Sequence, residues 1–125
     1  DAVIWYSTVD KESLFDGDNA ERIFRTLRHC DGVVCYNDQI AYRLIELLCQ
    51  HGRKIPEEIY VISFDNSSIS PYSPLKITSF NHPKEQMGQQ AAEKIIRMIE
   101  SKSKEEPIVM NMELVQKGSV NSDCP

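Results

Sequence analysis

The sequence contains no long hydrophobic run, no block of basic residues and no recognisable signal peptide. No stretch approaches the roughly 20 apolar residues that a membrane-spanning helix requires. The formal net charge is -5, with acidic and basic residues interspersed, so the chain carries no basic arm for nucleic acid. If the whole protein binds DNA, we expect another part of it to do so. The chain begins with Asp1, so we expect a fragment whose true N-terminus lies upstream.

No pair of cysteines has the CxxC spacing of a redox or zinc motif. The cysteines are Cys30, Cys35, Cys49 and Cys124. Cys35 lies in an apolar strand-like run and Cys49 in a helical pattern, which favours buried or ordinary thiols over a disulfide framework. We therefore expect a reducing, cytoplasmic compartment.

Recognisable catalytic and cofactor motifs are also missing. Neither GxGxxG nor GxxxxGK[ST] occurs, and no serine or cysteine has a histidine and an acid at readable spacing. His29, His51 and His82 are too scattered to indicate a metal site. The sequence therefore predicts a non-enzymatic protein with no cofactor and no metal.

The sequence does contain an alternation of strand-like and helical segments, and 41% of its residues are hydrophobic, enough to bury a core. Strands are predicted at 2–8, 32–36, 59–64, 77–80 and 108–115, and helices from about 18, 38 and 83. Such alternation indicates parallel crossovers, so we predict an α/β fold with a doubly wound parallel sheet. We expect Asp18 or Asn19 to cap the first helix and strand 32–36 to be covered on both faces.

Two acid and amide pairs follow two of the predicted strands. Asn37-Asp38 comes after strand 32–36, and Asp65-Asn66 comes after strand 59–64. Taken singly, each pair suits a helix cap or a turn. In doubly wound sheets, however, ligands bind beyond the carboxyl ends of the strands, which puts both pairs on one rim. Carboxylates and amides match vicinal hydroxyls, so the two pairs together favour a polar ligand.

Aromatic residues and a histidine extend this candidate cleft. The aromatic residues in strands or at their ends are Trp5, Tyr6, Tyr36, Phe64 and Phe80. At least half of them should belong to the core, and Trp5 and Tyr6 are the better cleft candidates because they lie towards a strand's end. His82 is either a capping or surface histidine or a hydrogen-bond donor into the cleft.

Four segments carry a family resemblance. "VVCYNDQIA", "IPEEIYVISFDNS", "ITSFNHPKEQMGQQAAEKIIRMIE" and "MELVQKGS" occur in the order and spacing of the C-terminal part of the lactose/galactose-repressor family. That family shares its fold with type I periplasmic sugar-binding proteins. The resemblance covers roughly residues 20–118, and the "CYND" and "HPKEQMG" blocks look most similar to its arabinose-responsive repressors.

The resemblance implies roles for matched positions. Asn37 and Asp65 look like effector-binding residues, and His82 falls where the family has a polar ligand contact on a crossover between subdomains. With Asn37 facing the sugar, we expect Asp38 to cap the next helix. Trp5 and Tyr6 are a looser match to the effector site. The resemblance also implies a dimer surface, which would comprise Tyr42, Ile45 and Tyr72. The alternative is that Ile45 is a core residue and Tyr72 an ordinary loop aromatic.

The chain departs from the family pattern at two places. The strand-end motif, usually Gly-aromatic-Asp-Asp, has Ser63 in place of the glycine and Asn66 in place of the second acid. The usual Arg-Gly-Ser near the end begins with Lys117 instead. Because Asp65 retains the first acid, effector binding is still expected, but the exact sugar is less certain.

The resemblance also implies a division into two lobes. Residues 1–79 would belong to the C-terminal lobe, 80–103 to a crossover and a helix of the N-terminal lobe, and 104–125 to a returning strand and tail. Helix 83–101 would then lack its home sheet. We expect its apolar stripe to pack on a neighbouring copy, to swap, or to cover exposed core of its own lobe. The stripe comprises Met87, Ala91, Ile95 and Met98.

These observations predict the sugar-sensing segment of a bacterial transcriptional repressor. L-arabinose is the best single guess for the effector, and the parent would bind operator DNA as a homodimer through a domain absent from this chain. The alternative is a periplasmic sugar-binding component of a transporter. A third hypothesis, an enzyme or phosphoacceptor domain on the same fold, would need a clustered acidic pocket with a lysine at a strand end.

Overall fold

The computed structural model of the chain describes residues 13–68 and 75–120. Its elements are α1 (Gly17–Leu27), β1 (Gly32–Val34), α2 (Asp38–Gln50), β2 (Tyr60–Phe64), β3 (Thr78–Asn81), α3 (Lys84–Ser101) and β4 (Glu113–Val115). The predicted strand 2–8, with Trp5 and Tyr6, lies outside the described residues, and so does Tyr72. The alternation that the sequence predicts is present across the described ranges.

The strands form one sheet in the order β1-β2-β3-β4. β1 pairs with β2 and β2 with β3 in parallel, while β4 pairs with β3 in antiparallel orientation. The α/β prediction is therefore confirmed, with a mixed rather than purely parallel sheet. β4 is also shorter than the predicted strand 108–115, because only Glu113–Val115 pairs with β3.

Helix α2 supplies most of the core and covers one face of the sheet. Its apolar side chains pack with those of the neighbouring strands to bury Ala41, Leu44, Ile45, Leu47, Leu48, Ile59, Val61 and Ile77. Ile45 is 0% exposed. The expectation that Ile45 contributes to a dimer surface is therefore wrong for this position, and the core alternative is the one observed. Tyr42 is half-buried at the edge of this core.

Strand β1 is covered on one face only. Val33 and Cys35 turn towards the core, whereas Val34 is 66% exposed. The prediction of a strand covered on both faces is wrong because the apolar run alternates in burial, and in the described part of the chain no element covers the Val34 side. The cysteines in those ranges, Cys30, Cys35 and Cys49, are free thiols.

The helix ends differ in their capping. α1 begins after Asp16, so Asp18 and Asn19 lie inside the helix and the predicted caps are wrong. α2 begins after Asn37, whose side chain accepts a hydrogen bond from the Ile40 N–H at 3.0 Å. Gly52 follows the end of α2 with φ of 74°, a left-handed value that glycine adopts readily.

Helix α3 lies apart from the core. It has no buried residue in the structure as described, and Ile95, Ile96 and Ile99 are more than half exposed. The option that its stripe covers core of its own lobe is therefore wrong, while packing on a second copy stays a prediction. α3 instead borders the extended segment 105–112. A groove of about 390 Å³ lies between them, lined by Met87, Ala91, Ile108, Met110 and Met112 among others.

Two polar contacts hold this segment to α3. Arg97 donates to both carboxylate oxygens of Glu105, at 2.8 and 3.0 Å. The Lys94 ammonium donates to the Glu106 carbonyl oxygen.

No described helix combines the length and hydropathy needed to cross a membrane.

Candidate functional site

The carboxyl ends of β1, β2 and β3 meet at one rim, because these three strands are parallel. Asn37 lies shortly beyond β1, Asp65 directly after β2 and His82 directly after β3. The Asp65 carboxylate is 3.6 Å from the His82 Nε2 atom. The structure thus brings Asp65 and His82 together, two of the residues that the sequence proposed for ligand binding.

Asp65 and Asn66 form a turn with an unusual backbone. Their φ angles are 91° and 39°, in a region that residues with a Cβ seldom adopt and that costs free energy unless neighbours hold it. The Asp65 N–H donates to the Phe80 carbonyl at 3.0 Å, and the Lys84 ammonium donates to the Asp65 carbonyl at 2.6 Å. Contacts from β3 and from the start of α3 therefore hold the turn.

An aromatic patch lies beside the Asp65 carboxylate. The rings of Phe64 and Phe80 stack with centroids 5.1 Å apart, and the His82 ring is 6.3 Å from Phe64. The Asp65 side chain is 46% exposed and that of His82 is 30% exposed, so both can reach a ligand. A carboxylate at the edge of flat rings suits a molecule with hydroxyls on its rim and an apolar face.

Asn37 performs the capping expected of Asp38, whereas Asp38 is buried. Asn37 caps α2 through its side-chain oxygen, so its amide nitrogen would be the atom that contacts a ligand. Asp38 is only 1% exposed. Its carboxylate accepts from the Ser67 N–H at 2.6 Å, the Ser67 hydroxyl at 3.0 Å and the Ser79 hydroxyl at 2.7 Å. The prediction that Asp38 is the cap is wrong because the side chain turns inward, towards β3.

The two departures from the family pattern contact each other. The Lys117 ammonium donates to the Asn66 side-chain oxygen at 2.8 Å. Ser119, two residues after Lys117, also contacts the sheet. Its hydroxyl donates to the Val61 carbonyl at 2.6 Å and accepts from the Thr78 N–H at 2.8 Å. The segment after β4 thus joins β2, β3 and the strained turn.

Ser67, Ser79 and Lys117 were not among the predicted site residues. The sequence offers one signal for Ser79, a serine within the short strand pattern 77–80, where a buried hydroxyl needs a polar partner. It offers little for Ser67 and Lys117, because their partners lie 29 and 51 positions away along the chain.

Cys35, which precedes the rim, is not an activated thiol. Burial, and secondarily the nearby Asp38 carboxylate, raise the pKa of the Cys35 thiol to about 12. The group therefore stays protonated near neutral pH and behaves as a small core residue. Within residues 13–68 and 75–120, no group of histidine, cysteine and acidic side chains is arranged to hold a metal ion.

Comparison with known families places this rim in context. A family model described as a periplasmic binding protein-like domain matches residues 4–120. The arabinose metabolism transcriptional repressor of Geobacillus stearothermophilus is 39% identical over 88 residues, which are 69% of this chain and 24% of that protein. The repressor of the same name from Halalkalibacterium halodurans is 36% identical over 104 residues, 82% of this chain and 28% of that protein.

Solved structures agree with these matches. A LacI family transcriptional regulator from Enterococcus faecium with bound ribose superposes with a TM-score of 0.67 at 27% identity, covering 81% of this chain and 39% of that one. The transcription regulator CcpA of Lactococcus lactis superposes with a TM-score of 0.68 at 28% identity, covering 82% of this chain and 37% of that one. The chain therefore spans well under half the length of these proteins.

Proposed function

Because this chain belongs to the periplasmic binding protein-like domain family, we propose that it is the effector-sensing segment of a bacterial transcriptional repressor, with a sugar bound between two lobes. The observation that carries the proposal is the rim where the Asp65 carboxylate, the His82 ring and the stacked Phe64 and Phe80 rings lie together. An ionised carboxylate accepts hydrogen bonds from two hydroxyls, and stacked rings cover the C–H face of a sugar.

Each candidate residue has a chemical role in this proposal. Asp65 accepts from adjacent hydroxyls, His82 donates or accepts at the ring edge, and the amide nitrogen of Asn37 donates. Trp5 and Tyr6 are proposed as further contacts, because they match the family's effector site more loosely. No residue is assigned a catalytic role, and the protein is proposed to be a non-enzymatic, cytoplasmic regulator.

We propose L-arabinose as the effector. Two relatives at 39% and 36% identity carry the name arabinose metabolism transcriptional repressor. A structural neighbour at 27% identity contains ribose, another pentose. The two relatives and the structural neighbours CcpA and the ribose-bound regulator are all transcriptional regulators, which supports a repressor over a periplasmic component of a transporter.

The proposed mechanism is a change in lobe arrangement. Residues 1–79 are assigned to one lobe, 80–103 to a crossover and helix of the other, and 104–125 to the return. Sugar held between the lobes favours one arrangement and so changes operator binding by a homodimer, whose surface includes Tyr42 and Tyr72. The coupling cannot exceed the difference in sugar affinity between the two arrangements. The DNA contacts would come from a domain outside this chain.

Calorimetric titration of the full-length protein with a panel of pentoses tests this proposal. Asp65→Ala should lower the affinity for L-arabinose about 10- to 100-fold, the effect of removing hydrogen bonds to a charged group. Glu57→Ala is the control, because Glu57 is exposed and precedes the opposite end of β2. The 125-residue chain alone should bind weakly, because it holds one wall of the cleft. Unchanged affinity in Asp65→Ala, or tight binding by the chain alone, would contradict the proposal.

A further inference from the structure

The Asp38 carboxylate is buried, and neither capping nor an ion pair in the described ranges explains its burial. It is 1% exposed, and within the described ranges its partners are hydroxyl and backbone N–H groups rather than a cation. An ionised group removed from water is unfavourable unless several donors surround it. The start of α2 supplies some compensation, because Asp38 lies in its first turn. Asn37, and not Asp38, caps α2. Helix capping therefore does not account for the burial of the Asp38 carboxylate.

The donors to Asp38 come from two segments, the residue directly after the strained turn and strand β3. Ser67, directly after Asn66, donates its N–H and its hydroxyl to one carboxylate oxygen. Ser79 on β3 donates its hydroxyl to the other carboxylate oxygen and accepts the Asn66 N–H at 3.0 Å. Because a serine hydroxyl has one proton, donation to Asp38 leaves its lone pairs for Asn66. Both residues that follow Asp65 are thus fastened to Asp38, one directly and one through Ser79.

We infer that Asp38 is a positioning residue that, through Ser67 and Ser79, holds the Asp65–Asn66 turn in the conformation that presents the Asp65 carboxylate to the effector. This inference rests on the proposed function. Asp38 itself does not touch the effector, because it is buried beneath the turn. Its carboxylate offsets the unfavourable φ angles of 91° and 39° by anchoring the chain immediately after them.

The test compares variants of the full-length protein by calorimetry with L-arabinose, at a temperature where circular dichroism shows each variant folded. Asp38→Ala should lower affinity about tenfold or more, because both anchors are lost. Asp38→Asn keeps one acceptor for the Ser67 N–H and should recover part of the loss. Leu44→Ala destabilises the same helix from the core without touching the anchors, and its affinity should match the wild type.

A second pair of variants tests the link that Ser79 makes between Asp38 and Asn66. Ser79→Ala removes the link to Asn66 and should weaken binding, whereas Ser63→Ala should not. Ser63 is a matched control because it is equally buried and lies opposite Ser79 in the β2–β3 register, yet its hydroxyl contacts the Phe64 carbonyl instead. If Asp38→Ala fails to fold, this pair decides the question alone. Equal affinity in Ser79→Ala and Ser63→Ala, or equal losses in Asp38→Ala and Leu44→Ala, would overturn the inference.

Amide hydrogen exchange in the sugar-free protein separates this inference from the proposed function. Asp38→Ala and Ser79→Ala should speed exchange at the Asn66 N–H about tenfold or more relative to Ser63→Ala, because opening of the turn then costs less. If the wild type binds no pentose, the proposed function fails while faster exchange still supports the anchoring role. If exchange at Asn66 and Ser67 is unchanged in both variants, the anchoring role is wrong whatever the sugar binding shows.

Discussion

Helices α2 and α3 both carry apolar stripes, but their surroundings differ. α2 packs against β2 and buries Ala41, Leu44, Ile45, Leu47 and Leu48. α3 is longer, 18 residues against 13, yet none of its own residues is buried in the chain as described. Helical periodicity therefore identifies an apolar face without identifying what covers it. The match spans about a quarter of the length of the Geobacillus stearothermophilus repressor. An apolar face without a partner is therefore expected wherever the partner lies in the remainder of such a protein.

The largest expected effect separates the two helices by stability. Ile45→Ala in α2 should lower the free energy of unfolding by about 2–5 kcal/mol, because Ile45 is 0% exposed and its loss leaves a cavity. Ile95→Ala in α3 should change it by about 0.5 kcal/mol or less, because Ile95 is 58% exposed. Urea denaturation of the 125-residue chain carrying each substitution, at a concentration where the chain is monomeric, measures both values. Comparable losses in the two variants would mean that α3 is covered after all.

The same contrast explains what the sequence predicts well. Apolar strand-like runs that alternate with helical patterns indicate the α/β fold. The rule for strand ends puts Asn37-Asp38 and Asp65-Asn66 on one rim, where the Asp38 carboxylate accepts from the N–H of Ser67, the residue after Asn66, at 2.6 Å. These inferences depend on local pattern and on topology alone. The predicted fold and the predicted rim both agree with the structure, because α2 and the parallel strands pack against each other within the chain.

The errors fall where a choice depends on distant partners. Asn37 and Asp38 are both suited to capping, and the hydrogen bonds from Ser67 and Ser79, 29 and 41 residues away, hold Asp38 in its buried position. Aspartate and asparagine adopt positive φ angles more readily than most residues with a Cβ, so the Asp65-Asn66 pair indicates a turn, but it does not specify a positive φ at both positions. The single covered face of β1 depends on which elements pack there, which an apolar run cannot specify.

The second prediction concerns self-association through α3. The exposed Ile95, Ile96 and Ile99 form an apolar surface that a second copy of the chain can cover. Sedimentation equilibrium of the 125-residue chain should show concentration-dependent association, and the double variant Ile96→Lys with Ile99→Lys should be monomeric. Gln86→Lys is the control, because it adds a positive charge at an exposed polar position of the same helix. A wild-type chain that stays monomeric throughout the accessible concentration range contradicts the prediction.

The third prediction concerns Asn37, which caps the start of α2. Asn37→Ala removes the hydrogen bond to the Ile40 N–H and should cost about 1 kcal/mol of unfolding free energy. Asn37→Asp keeps an acceptor at the cap and should cost little, yet it removes the amide donor proposed for the effector. Thermal denaturation and sugar titration of the two variants therefore separate capping from binding. If Asn37→Asp binds L-arabinose as tightly as the wild type, the assignment of Asn37 to the effector site is wrong.

The smallest expected effect concerns the exposed contact between α3 and segment 105–112. The hydrogen bonds from Arg97, with lesser help from the charges of Arg97 and Lys94, hold the pKa of Glu105 below its ordinary range, against a partial opposing effect of desolvation. Because the folded-state pKa is the lower one, this contact contributes fully above the ordinary glutamate value of about 4.3 and is lost as the pH falls through the folded-state pKa. NMR titration of the Glu105 carboxyl should give a lower midpoint in the wild type than in Arg97→Gln, and the difference should shrink in high salt because the pair is exposed. Equal midpoints would mean that segment 105–112 does not rest on α3 in solution, and the groove between them would then have no fixed wall.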